Sequence, residues 1–159
     1  MRRNSNLEAL LKEHHDDAFL WSLQCCQYDR DNANDVLQMV YLKLMEGKAT
    51  YKEQSSFKTW LFSVIRYTAI DFGKQHTNYA SLEQVQVAET PNYYEEETNY
   101  KKLLQQLPER QQQILLLAFY HHMTLSAIAE TTGLHIGTVR THYERGKTAL
   151  RKLIKTVAI

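Results

Sequence analysis

A chain of 159 residues with 43% hydrophobic content has room for one ordinary globular domain or two small ones, and its net charge of +1 conceals an uneven distribution. Residues 1–80 carry ten Lys and Arg against ten Asp and Glu, residues 81–100 none against five, and residues 101–159 nine against three. No apolar run approaches the roughly 20 residues needed to span a bilayer, and no signal-peptide core follows Arg2, Arg3 and Asn4, so membrane insertion and export are not expected and the chain is assigned to the cytoplasm. With two prolines, five glycines and no sustained period-two alternation, the sequence predicts an all-α fold of two small helical domains, 1–76 and 100–159, joined by a flexible acidic linker over 77–99.

In chain order, His14 and His15 beside Asp16 and Asp17 come first, and the pair His121 and His122 lies further on. Neighbours on a helix project about 100° apart, so neither group reads as a metal site. No phosphate loop, nucleophile elbow or HExxH motif occurs, and neither a catalytic residue nor a cofactor is expected. Cys25 and Cys26 fall in a helical apolar run without a partner at metal spacing, and read as buried thiols of a reducing compartment.

Ala33, Val36, Leu37, Val40, Tyr41 and Leu44 recur at intervals of three and four, which predicts a helix with Asp31 capping its start. Asp35, Gln38, Met39 and Leu42 follow the same rule on the opposite side. That second stripe fits either a helix buried on both faces or a docking surface for another protein.

A polar loop, residues 47–56, carries Lys48, Tyr51 and Lys52, and a further helix runs from Phe57 to about Lys74. Phe57, Trp60, Leu61, Val64, Thr68 and Phe72 form its packed face, with Lys58, Phe62, Arg66, Tyr67 and Lys74 partly off it. Rings interleaved with cations suit a single nucleic-acid strand, although an aromatic stripe at helical spacing is more often core than a ligand site. The pattern then fails through residues 77–98 and resumes with Tyr100 to Leu107, ahead of Pro108 in a first-turn position.

Residues 125–152 read as two short helices around a tight turn. Ala129 allows the helices to cross closely, Gly133 reverses the chain and Val139 plugs the interior, which is the outline of a helix-turn-helix. Thr138, Arg140, Thr141 and His142 lie near the start of the second helix, where base edges are reached. Arg145, Lys147, Arg151 and Lys152 lie where such a helix leaves the bases for the phosphates. This half therefore points to DNA.

The run NANDVLQMVYLKL (Asn32 to Leu44) with FKTWLFSVIRYTAID (Phe57 to Asp71) resembles the second conserved region of bacterial sigma factors. LPERQQQILLL with AIAETTGLHIGTVRTHYERGKTAL resembles the fourth, and a chain with these two regions alone is similar to the extracytoplasmic-function group. The likeness covers about residues 7–76 and 100–154. It implies that Asp35, Gln38, Met39 and Leu42 dock on the clamp coiled coil of core RNA polymerase. Lys48, Tyr51 and Lys52 would capture a base flipped from the minus-ten element, and Trp60, Arg66, Tyr67 and Lys74 would follow the melted strand. Thr138, Arg140, Thr141, His142, Arg145 and Lys147 would read the minus-thirty-five element, and the linker would run toward the RNA exit channel. The implied partners are core polymerase, promoter DNA and an anti-sigma factor, the free protein being a monomer. Tyr67, His142 and Ala127 depart from the residues frequent in the family, Asn, Arg and an acidic side chain. The rival reading is a stand-alone helix-turn-helix regulator with a sensing or dimerising first half, which would bind a palindrome without polymerase.

Overall fold

The protein is described by a computed structural model over residues 2–80 and 101–157, which are helices and short connections with no strand among them. An N-terminal unit is built from α1 (Arg2–Cys25), α2 (Arg30–Met45) and α3 (Phe57–Ala80). A C-terminal unit is built from α4 (described residues 101–105), α5 (Glu109–Phe119), α6 (Leu125–Thr132) as far as Ala129, and α7 (Ile136–Val157). α3 runs six residues beyond Lys74, through the first four positions expected of the linker. The rest of the expected linker, 81–99, lies outside the described residues.

In the N-terminal unit the three helices pack pairwise around Trp21, Val36, Val40, Leu61, Phe62 and Ile65, none of which retains any exposure. Phe62, expected at the edge of the packed face, lies in its centre: its ring stacks on Trp21 at 5.7 Å, and the Trp21 indole N–H donates to the Phe62 carbonyl at 3.1 Å. Because α3 faces both α1 and α2, its buried stripe is wider than one helix partner requires, and it takes in Phe62 and Ile65 besides Leu61.

The start of α2 is capped by Asp29, whose carboxylate accepts from the Asn32 N–H at 3.0 Å, and not by Asp31, which lies exposed within the first turn. The turn before it explains the displacement. Gln27 and Tyr28 take left-handed φ values of 55° and 66°, and the Tyr28 N–H closes on the Leu23 carbonyl at 2.8 Å. The chain is thus delivered to α2 two residues earlier than its apolar pattern suggests. Asp29→Ala is expected to lower the stability of this unit by about 1 kcal/mol, with Asp29→Ser recovering most of it. Tryptophan fluorescence during urea unfolding checks this, because both tryptophans, Trp21 and Trp60, belong to this unit.

Burial shifts two groups here. The Tyr41 hydroxyl, bonded to His15 Nδ1 at 2.8 Å, is pushed up to about 12 from 10.0, and the Cys26 thiol to about 11 from 9.0. Each folded value exceeds the unfolded one, so their contribution to stability is complete below pH 9.0 and is lost as pH rises through 11 to 12. The melting temperature of the unit is expected to fall above pH 9, with a shallower decline in Tyr41→Phe above pH 10. Both cysteines are half-buried, not fully enclosed as the sequence suggested.

In the C-terminal unit, Pro108 stands one residue before α5 as its N-cap, where a missing N–H costs nothing. The cap has no side-chain acceptor for the helix. Instead the Gln112 amide reaches back to donate to the Leu107 carbonyl at 2.6 Å, fastening the α4–α5 turn. Leu104, Leu107, Leu115 and Leu116 form a core against which Tyr143, Leu150 and Leu153 of α7 pack. α7 crosses α5 closely: a Cβ added at Gly146 would stand 3.1 Å from Leu115 Cδ1. With 22 residues, α7 runs five positions beyond Lys152, where the expected second helix ends.

Candidate nucleic-acid interface

Three surfaces carry the residues singled out by sequence. On α2, Asp35, Gln38 and Leu42 are exposed and Met39 is half-buried, while Ala33, Val36, Leu37, Val40 and Leu44 fill the core. Leu42 keeps 58% of its surface. Of the two readings of this stripe, the free face is the one observed. Met45, at 45% exposure and three residues after Leu42, continues the stripe and was missed, although the same spacing rule reaches it. Lys43, at the flank, donates to Thr68 Oγ1 at 3.1 Å and ties α2 to α3.

The loop before α3 closes on Ser56, whose hydroxyl oxygen accepts from the Thr59 N–H at 3.1 Å to cap α3. Gly47, at φ +74°, provides the left-handed residue that lets the chain leave α2. Lys48 and Lys52 are exposed, Lys48 pairing with Glu46 at 2.9 Å. Tyr51 behaves differently. Its ring meets Phe57 edge-on at 5.4 Å and Trp60 at 5.3 Å, and its hydroxyl donates to the Ser55 carbonyl. Trp60 and Tyr51 are therefore half-buried and hold the loop in shape. Beneath the loop lies a cavity of about 470 Å³ lined by Leu7, Leu10, Leu44, Tyr51, Phe57 and Trp60, ample for one unstacked base.

Further along α3, Tyr67 and Lys74 lie exposed, and the Arg66 guanidinium is 5.9 Å from the Tyr67 ring centre. Ile70, at 38% exposure, falls between them on the same stripe and was also missed. A ring, an apolar side chain and two cations in one row form a stacking platform with charge at its edges.

The turn between α6 and α7 has the expected construction. Thr124 caps α6 by accepting from the Ala127 N–H at 3.1 Å, Gly133 takes φ 73° at its end, and Val139 is fully buried. The start of α7 is capped by His135, whose Nδ1 accepts from the Gly137 N–H at 3.1 Å. This role escaped the sequence reading, because imidazole is not among the usual capping groups.

α7 carries six Lys and Arg against one Glu. Arg140, Thr141 and Arg145 are exposed, and the Thr141 hydroxyl donates to the Gly137 carbonyl at 3.0 Å. Thr138 is half-buried. His142 lies three residues after Val139 and four before Gly146, on the inward stripe. It is half-buried, and its Nδ1 is enclosed with no hydrogen-bond partner among the described residues. Lys147 is largely covered: its ammonium lies 4.4 Å from the Tyr143 ring centre and 3.3 Å from Glu144. Arg151 and Lys152 are exposed on the final turns. Of the residues expected at the DNA, those presented outward are thus Arg140, Thr141, Arg145, Arg151 and Lys152.

The adjacent histidines diverge. His14 packs on Phe57 and His15 on Tyr41, while His121 is buried and His122 is exposed at φ 55°. Among the described residues, no helix is long and apolar enough to cross a membrane.

Comparison with known proteins identifies the families that the two helical units match. Residues 10–78 match the Sigma-70 region 2 family and residues 98–150 the Sigma-70 region 4 family. The ECF RNA polymerase sigma factor SigX of Bacillus subtilis is 35% identical over 71 residues, 44% of this chain and 36% of that protein. A probable RNA polymerase sigma factor of Haemophilus influenzae is 29% identical over 70 residues, again 44% of this chain and 36% of its own length. The matched stretches therefore span about a third of each curated relative. Among solved structures, the sigma factor RpoE of Bartonella quintana, crystallised with the anti-sigma factor NepR, superposes with a TM-score of 0.76 at 21% identity, covering 94% of this chain and 97% of that one. CnrH, solved with the cytosolic domain of CnrY, gives a TM-score of 0.66 at 15% identity, covering 94% and 87%. At these identities the likeness is one of fold.

Proposed function

Because the chain belongs to the sigma-70 family, within its extracytoplasmic-function group, we propose that it is an alternative sigma factor that binds core RNA polymerase and directs promoter recognition, melting and initiation. The observation that carries this reading is the presence in one chain of a free, partly apolar face on α2 and a cationic, outward-facing α7 within the stretches matching regions 2 and 4. A stand-alone regulator would use the first only as a dimer contact, and would then be a dimer when free.

In this reading Asp35, Gln38, Met39 and Leu42 dock on polymerase. The loop with Lys48, Tyr51 and Lys52 receives a flipped base, and Trp60, Arg66, Tyr67 and Lys74 follow the separated strand. Thr138, Arg140, Thr141, His142, Arg145 and Lys147 serve the minus-thirty-five element, with Arg140 and Thr141 nearest the bases, while His142 and Lys147 act chiefly by fixing α7. Residues 77–99 link the two domains. The protein works in the cytoplasm, is a monomer when free and uses no cofactor. Relatives of like fold are found with an anti-sigma factor or a cytosolic domain bound, which supports an inhibitory partner here.

Run-off transcription with purified core polymerase, with and without the protein, tests the proposal: specific transcripts are expected only when it is added. Binding to a palindromic duplex without polymerase, and no transcript with it, would favour the regulator. Permanganate footprinting examines the melting role, and Arg66→Ala with Tyr67→Ala is expected to suppress thymine reactivity more than promoter binding, since stacking acts only on parted strands. Tyr51→Phe suits the loop better than Tyr51→Ala, because the ring itself holds Phe57 and Trp60.

A further inference from the structure

The cavity beneath the loop of residues 47–56 has a mixed lining. Leu10, Leu44 and Phe57 make it apolar and the Tyr51 and Trp60 rings give it flat walls, a setting for a planar heterocycle removed from water. Two side chains break that pattern. Asn6, near the start of α1, and Glu53, in the loop, line the same space, and both are exposed, so they stand at its mouth. Neither the Asn6 carboxamide nor the Glu53 carboxylate takes part in a hydrogen bond or ion pair among the described residues, which leaves both for whatever enters. Asn6 also lies ahead of residues 10–78, the stretch that matches the Sigma-70 region 2 family, so its place at the cavity is a feature of this chain.

Glu53 is the more informative of the two. Its backbone takes φ 59°, in the left-handed region that favours glycine, so a glutamate is kept there against conformational preference. A carboxylate also opposes the phosphates of any strand drawn to Lys48 and Lys52, which makes it a poor device for affinity. Its chemistry suits discrimination instead. A carboxylate only accepts hydrogen bonds, and the base group that serves it is an exocyclic amine, as with N4 of cytosine. Thymine alone of the four DNA bases has no such amine, and carbonyl oxygens flank its one ring N–H on both sides. Set against Glu53, those oxygens meet like charge.

We infer that Glu53, with Asn6, makes this cavity selective for a base carrying an exocyclic amine (cytosine, adenine or guanine) and unfavourable to thymine. The inference rests on the proposed role of the loop in receiving a flipped base, and adds which bases it receives. The rings hold the heterocycle by its faces, and Glu53 accepts from the amine. The Asn6 carboxamide, which both donates and accepts, meets the ring nitrogen or carbonyl alongside. The loop thus supplies the filter and α1 a second contact.

Selection of minus-ten sequences from a randomised promoter pool, by the full chain assembled on core polymerase, tests this. Wild type is expected to select against thymine by about tenfold at one position, the effect of losing one charge-assisted hydrogen bond. Glu53→Gln, close in shape but able to donate to a carbonyl oxygen, is expected to bring thymine level with the other bases there and to leave the remaining positions as they were. Glu53→Gly, which suits φ 59°, is expected to do the same, and tryptophan fluorescence in urea checks that both variants fold as wild type does. Asn6→Ala is expected to keep thymine out while evening the choice among the three amine-bearing bases. A merely structural Glu53 would not change preference at a single position. If Glu53→Gln admits thymine at no position that wild type denies it, the inference is overturned and the proposed function stands. A wild type that selects no minus-ten sequence on core polymerase overturns both.

Discussion

Gln38→Lys combined with Leu42→Lys is expected to weaken capture of core RNA polymerase by about 3 to 4 kcal/mol, a few hundred-fold or more, if both side chains lie near the centre of the contact. Leu42 retains 58% of its surface in the free protein and Gln38 is exposed, so neither replacement removes an internal contact. Helix content and urea midpoint should hold while polymerase affinity falls, the combination that separates a docking residue from a packing one. Met45→Lys, one step further on the same stripe, is expected to have a smaller effect in the same direction. Affinity is best measured by fluorescence anisotropy of labelled protein against core enzyme. Unchanged affinity in the double variant would remove the docking role from this face.

The α2 face was legible because it depends on period alone. Once Ala33, Val36, Leu37, Val40 and Leu44 occupy the core, residues offset by half a turn must face outward, and Asp35, Gln38 and Leu42 do. The same reasoning succeeded at Gly133 and Val139, where a left-handed residue and an inward plug are demanded by the turn itself. It failed where the environment depends on tertiary partners. Phe62 reads as an edge residue until α1 supplies Trp21 to stack against it. His142 reads as a groove donor until α7 packs on α5 at Gly146, His142 lying four residues before it on the same inward stripe. Lys147 reads as a phosphate contact until Tyr143 and Glu144 occupy its ammonium. One cap was misplaced and another missed: the left-handed pair Gln27 and Tyr28 moves the α2 cap to Asp29, and an imidazole takes the position before α7.

These differences sharpen what α7 should do on DNA. Arg140 is exposed one turn into the helix, close to the end that enters a major groove, and its guanidinium can address two acceptors of a guanine at once. Arg140→Ala is therefore expected to cost about 1 to 3 kcal/mol at one preferred base pair and to relax the choice there. Arg145, exposed further along, has a different expectation: Arg145→Ala should weaken all sequences alike and lower the salt dependence by about one phosphate. Lys147→Ala should change DNA affinity less than Arg145→Ala, because the Lys147 ammonium lies over Tyr143, and releasing it for a phosphate would sacrifice a cation–π contact of about 0.5 to 1 kcal/mol. Selecting minus-thirty-five sequences from a randomised pool with wild type and each variant, assembled on core polymerase, distinguishes the three. A consensus unchanged by Arg140→Ala would reduce Arg140 to a phosphate contact, and a salt slope altered more by Lys147→Ala than by Arg145→Ala would mean that α7 redeploys Lys147 when DNA binds.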